Sequence, residues 1–181
     1  MKKLALAALL ASSFASTAAL ADGWRFAPLF TDSNFKLEPT LALTANQVDP
    51  KDGGDAVTTF GVDFNFNCGI LQDPQNRMRT HLNISKGDKD GFEVTAIELS
   101  PRYTVPMGNG LSIGVGPSLA SFKGEAAGAS ETFFGIGIAA GVNYRAGAFY
   151  AGADLRWHDT STKNGGNMDN TTIGAKVGMN F

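Results

Sequence analysis

Residues 171–181 read Thr-Thr-Ile-Gly-Ala-Lys-Val-Gly-Met-Asn-Phe. Taken in twos, Ile173, Ala175, Val177, Met179 and Phe181 fall on one side, and Thr172, Gly174, Lys176, Gly178 and Asn180 on the other. Strict alternation is the pattern of a β-strand, because successive side chains leave opposite faces of an extended backbone. A chain that repeats it has to build a sheet with an apolar face and a polar face.

The pattern does repeat. Alternating segments occupy residues 35–47, 57–68, 77–85, 92–104, 111–122, 131–144, 149–158 and 171–181. In the second, Phe60, Val62, Phe64 and Phe66 oppose Gly61, Asp63, Asn65 and Asn67. In the sixth, Phe134, Ile136, Ile138 and Val142 oppose Gly135, Gly137, Gly141 and Asn143. Turn-rich stretches such as 48–56 (VDPKDGGDA) and 86–91 (KGDKDG) separate them. Eight segments of this length suit tilted strands crossing hydrocarbon. The even count predicts both ends on one side, with 48–56, 86–91, 123–130 and 159–169 as outer loops.

The N-terminus is of another kind. Met1-Lys-Lys precedes an apolar run over 4–11, and Ala19-Leu20-Ala21 forms a small-residue site. That predicts a signal peptide over 1–21 cleaved after Ala21. Residues 22–34, with Trp24, Phe26, Leu29 and Phe30 around Pro28, are expected to form a periplasmic lead-in, and 35–181 the barrel domain. The remaining chain, about 160 residues, suits one domain. No later apolar run is long enough for a spanning helix. The lone Cys68 excludes an internal disulfide framework. An acidic balance argues against nucleic acid as a partner.

Alternation alone fits a soluble barrel with an oily inside or a membrane barrel with an oily outside. The apolar parity carries charge only at segment ends, at Glu93, Lys123 and Asp159. A lipid-facing charge at the bilayer midplane would cost about 2–4 kcal/mol. Aromatic residues on that parity gather at both ends: Phe35, Phe66, Tyr103, Tyr144, Phe149 and Phe181 towards one rim, Phe60, Phe134 and Trp157 towards the other. Two girdles at lipid–water boundaries account for this. The polar parity mixes Gly and Ser with its charges, as a narrow packed interior requires. An all-β, eight-stranded antiparallel up-and-down transmembrane barrel is therefore expected. Pro39, Pro101 and Pro117 lie inside segments, so bulges or unpaired carbonyls are predicted there.

The inward parity collects Lys36, Glu38, Asp63, Arg77, Arg79, His81, Glu98, Arg102, Asp154, Arg156 and Lys176. Buried charges must pair. The expected pairs are Glu98 and Asp63 with Arg77, Arg79 and Arg102, and Asp154 with Arg156 or Lys176. Such a network plugs the lumen; the competing reading is a narrow conduit for small or hydrophobic solutes. His81 and His158 have no metal-ligand spacing, and Gly114-Val-Gly116 and Gly135-Ile-Gly137 lack the helix that a phosphate loop needs, so no metal or cofactor is expected. His158-Asp159-Thr160-Ser161 invites comparison with the lipid A deacylases, barrels that use a His–Ser pair, although His158 and Ser161 have opposite parities. The outer loops carry Asp49, Asp52, Asp55, Asp88, Asp90, Glu125 and Asp169. They are solvated surface, or a place for divalent cations to bridge to lipopolysaccharide phosphates.

From about Phe35 to Phe181 the chain resembles the small bacterial outer-membrane barrels of the OmpA, OmpX and opacity-protein type. The resemblance implies a non-enzymatic protein that supports the outer membrane or mediates adhesion through its loops, with a lipid A-modifying enzyme as another class. It also implies outer-membrane lipid, lipopolysaccharide and the barrel-assembly machinery as partners, with Phe181 as the assembly signal, and a host or phage surface beyond the loops.

Overall fold

Once strands alternate, their shared apolar face decides how they close. The computed structural model describes residues 23–51, 53–126, 128–163 and 165–181; the expected signal peptide, 1–21, and its expected cleavage site lie outside the described residues. Short elements come first: β1 (Arg25–Phe26) and α1 (Pro28–Thr31). Then follow β2 (Thr40–Pro50), β3 (Val57–Asn67), β4 (Leu71–Gln72), β5 (Met78–Lys89) and β6 (Phe92–Gly108). The last are β7 (Leu111–Ala126), β8 (Ala129–Ala146), β9 (Phe149–Thr160) and β10 (Asn170–Asn180). The eight long strands form a closed antiparallel barrel in the order β10-β2-β3-β5-β6-β7-β8-β9. Closure runs from Asn170↔Pro50 to Asn180↔Thr40, so no edge is left unpaired. We call the end with the connections at 51–56 and 161–169 the mouth, and the opposite end the base.

The oil lies outside. Leu43 is 67% exposed and Leu155 52%, while Glu98, Arg102 and Arg156 are each 2% exposed. An eight-stranded barrel has just enough interior for side chains to fill. No described helix is long and apolar enough to cross a membrane.

In three places the strands depart from the segments predicted. The first strand starts at Thr40 rather than Phe35, because Glu38 adopts a left-handed φ of 45° and Pro39 follows it. At the mouth, β5 runs on to Lys89 and β7 to Ala126, and β8 begins already at Ala129, so the strands absorb most of the stretches expected as loops at 86–91 and 123–130. Lys89 pairs with Phe92 around Asp90 and Gly91, both at positive φ (51° and 79°), the conformation that a tight hairpin with matching twist requires. Lastly, Pro101 and Pro117 produce no bulge. The register sits at Leu99↔Leu119 and resumes unchanged at Tyr103↔Val115. The two prolines therefore lie opposite each other, and their missing donors share one gap in the ladder. The register shift of this strand pair comes instead between Pro106 and Gly108.

The lead-in caps the base. Arg25 and Phe26 pair with Gln72 and Leu71 of the β3–β5 connection. Arg25 is bound to Asp32 at 2.5 Å and also donates to Asn76 and to the Asp73 carbonyl.

Candidate functional site

Inward-facing side chains stack in layers from base to mouth. Nearest the base, the Arg79 guanidinium donates to Asn67 Oδ1 at 2.8 Å, Asn65 Oδ1 at 3.1 Å and the Glu38 carbonyl at 2.8 Å. Arg145 donates to the same Asn65 oxygen at 2.7 Å and lies over the Tyr150 ring, whose hydroxyl donates to Asn143 at 2.5 Å. Above this, Arg102 meets Asp154 at 2.5 Å, and Lys176 bridges Asp154 at 2.7 Å and Asp63 at 3.5 Å. His81 Nδ1 stands 3.2 Å from Asp63. Higher still, Arg156 binds Glu98 at 2.7 Å and Asn46 Oδ1 at 2.5 Å. In these upper layers Asp63, Glu98 and Asp154 are matched one for one by Arg102, Arg156 and Lys176.

The partners are not those the sequence suggested, except for Asp154 with Lys176. Glu98 takes Arg156 rather than Arg77, Arg79 or Arg102, and Asp63 takes Lys176 and His81. Arg77 is outside the lumen altogether. It precedes β5, where a local carboxylate wins: Nε donates to Asp73 at 2.5 Å, and the guanidinium lies 4.7 Å from the Tyr103 ring. Lys36 is exposed ahead of β2. Glu38, whose side chain is 58% exposed, stands 3.9 Å from Arg79 at the lip of the base.

Asn46, Asn65, Asn67 and Asn143 were missed as members of the network, although each shares the inward parity. Asn46, Asn65 and Asn67 act because an amide oxygen accepts from a guanidinium without adding a charge to the interior, and Asn143 accepts from the Tyr150 hydroxyl in the same way. Glycines make the room. A Cβ on Gly141 would stand 2.3 Å from Asp154 Oδ1 and 2.8 Å from Arg102 Nη1, and one on Gly174 would stand 2.3 Å from Asn46 Oδ1.

On the outside, Phe60, Phe134 and Trp157 lie towards the mouth. Lys51 stacks over Trp157 at 3.9 Å. Phe66, Tyr103, Tyr144 and Phe149 lie towards the base, Tyr144 and Phe149 meeting edge to face at 6.4 Å, with Phe35 half-buried just before β2. Phe181 follows β10; its backbone N–H donates to Pro39 O at 2.9 Å, and its ring is 72% exposed. His158 and Ser161 do not meet. Ser161 Oγ accepts from the Phe134 N–H at 3.1 Å, whereas His158 Nε2 lies 2.9 Å from Ser118 Oγ, which in turn lies 2.9 Å from Ser100 Oγ. Among the described residues no hydrogen bond to His158 Nδ1 is formed.

At the mouth the two faces exchange character. The inward residues become Val48, Val57, Val94, Ala96, Phe122 and Phe133, all buried. The outward ones become Gln47, Asp49, Lys86, Asp88, Glu93 and Lys123. Lys86 pairs with Glu93 at 2.8 Å, and Lys123 pairs with Glu125. The hydrogen bond from Lys86 to Glu93 raises the ammonium pKa above its ordinary value, and the one from Lys123 lowers that of the Glu125 carboxyl.

Among the described residues no group of three His, Cys, Asp or Glu side chains could hold a metal. No curated protein matches the chain by sequence. Two solved barrels are similar in fold. Neisserial surface protein A superposes with a TM-score of 0.54 at 13% identity, over 80% of this chain and 95% of that one. The N-terminal β-barrel domain of Pseudomonas aeruginosa OprF superposes with a TM-score of 0.50 at 15% identity, over 81% of this chain and 100% of that one. The family model of the outer membrane protein beta-barrel domain matches residues 5–181, so with its closed barrel and outward oil the chain belongs to that family.

Proposed function

We propose that this protein is a non-conducting, non-enzymatic element of the outer membrane that braces the bilayer and presents its mouth to the cell surface. The observation that carries the reading is the filled lumen: Asp63, Glu98, Arg102, Asp154, Arg156 and Lys176 are all buried and joined by ion pairs across the interior. A water path through them would separate charges that are costly to leave alone. In this reading the chain is exported by residues 1–21, cleaved after Ala21, and inserted by the assembly machinery through Phe181, whose ring is free to be gripped. The base and its cap face the periplasm. The mouth, with its outer ring of charge, meets lipopolysaccharide and any host or phage surface. Bracing is the stronger half of the proposal, because two of the mouth's connections are tight hairpins, closed by Lys89↔Phe92 and Ala126↔Ala129.

The test is conductance of the folded, heat-modifiable protein in planar bilayers. No steady single-channel steps are expected; discrete, salt-dependent steps that Glu98→Ala enlarges would overturn the reading in favour of a conduit. Lipid A acyl chains are expected unchanged whether the cell carries wild-type protein or His158→Ala. A difference between the two would make the protein an enzyme.

A further inference from the structure

The lumen fills with charge below, but at the mouth it leaves a space. A cavity of about 390 Å³ opens there, walled by Val48, Val57, Phe92, Val94 and Met168, with Asn167 and Asn170 as polar groups among them. Val48, Val57 and Val94 are almost wholly buried strand residues and form the barrel side of the wall; Gly53, Gly54, Asn167 and Met168 of the mouth connections complete it. Gly124 helps to keep it open: a Cβ there would stand 3.1 Å from Phe92 Cζ and 3.4 Å from Met168 Sδ. Beneath, Met168 packs on Ala96, Ala120 and Phe122, and the Arg156–Glu98 pair lies lower still. The space is therefore closed at its foot.

We propose that the mouth is a blind binding pocket for a small uncharged hydrophobic molecule, an aromatic ring or short alkyl body that enters from the water above the barrel. Its volume is that of small-molecule sites, and mostly apolar walls with a few polar groups are their usual lining. Water in such a space finds few partners, so displacing it favours an apolar guest. An anion is disfavoured because Asp55 and Asp90 stand at the rim and Lys89 is bound to Asp55 at 3.2 Å. A lipid chain would have to cross the outward ring of Gln47, Asp49, Lys86, Asp88 and Glu93 to reach the opening. A peptide strand finds no free edge in a closed barrel. The inference needs only the barrel, and stands apart from bracing and adhesion.

The experiment labels the methionine methyl groups with ¹³C in the folded barrel, held in lipid nanodiscs, and titrates naphthalene. Met168 lines the cavity, while Met179, 54% exposed on the outward face, reports partition into lipid. The Met168 resonance is expected to shift and saturate while Met179 drifts linearly. Val94→Phe, which fills the cavity, is expected to abolish the saturating shift, and naphthalene sulfonate to bind roughly tenfold more weakly because its charge would be desolvated. Parallel, non-saturating drift of both methionines in the wild type would overturn the proposal. So would a saturating shift that persists unchanged in heat-modifiable Val94→Phe and Val57→Phe.

Discussion

In the embedded section of the barrel Leu43, Ile138 and Leu155 face out while Glu98, Arg102 and Arg156 face in; at the mouth Lys86, Glu93 and Lys123 face out while Val94, Phe122 and Phe133 face in. The same strands carry both arrangements. On β6, Glu98 and Arg102 continue upward on the inward parity as Ala96 and Val94. Outside the bilayer the surroundings are water, so the outer face must be polar and the interior becomes the only refuge for apolar groups. Inside the bilayer lipid takes the oil, and the interior is left to hold the charges. Which face of a strand is greasy is therefore set by what surrounds the barrel at that height.

The comparison can be broken at several points. The largest effect is expected for Arg156→Met, which strands Glu98 in the embedded lumen and should destabilise by about 3–5 kcal/mol in urea unfolding from lipid vesicles; a change below about 1 kcal/mol would mean that water already reaches the pair. Next is Leu43→Lys, at about 2–4 kcal/mol, against Gln47→Lys, further up the same face of β2, at no more than about 0.5 kcal/mol. Equal losses would erase the boundary between the sections. Gly141→Ala should cost about 1–3 kcal/mol by pushing apart Arg102 and Asp154, and restoring glycine room by Arg102→Lys in the same chain should recover part of it. The smallest effect lies at the mouth. The Glu125 carboxyl, with its pKa lowered by Lys123, contributes at neutral pH and loses that contribution as pH falls through its folded value. Lys123→Met should move it back towards the ordinary carboxylate range in a carboxyl ¹³C NMR titration, the contacts with Glu93 and Lys86 holding part of the shift.

Much of this was legible in the residues. Period two named the strands and sorted Asp63, Glu98, Arg102, Asp154, Arg156 and Lys176 to one face, where each is now buried. Arg77 was misplaced because parity continues on paper past the point where β5 begins, and Asp73 four residues earlier captured it. The long mouth strands were hidden because charged residues such as Lys86, Asp88 and Lys123 read as loop when they are in fact outward strand positions in water. Pro101 and Pro117 looked like separate defects until the register set them opposite each other.

By itself the sequence determined the strands, their two faces and the membership of each side chain in one face or the other, since alternation is a property of neighbouring residues in an extended backbone. Only the tertiary structure decided who meets whom. Glu98 and Arg156 are 58 residues apart along the chain and touch across a closed interior, as Arg102 and Asp154 do at 52. Closure and register set those distances, and buried charge accepts whichever partner they bring within reach.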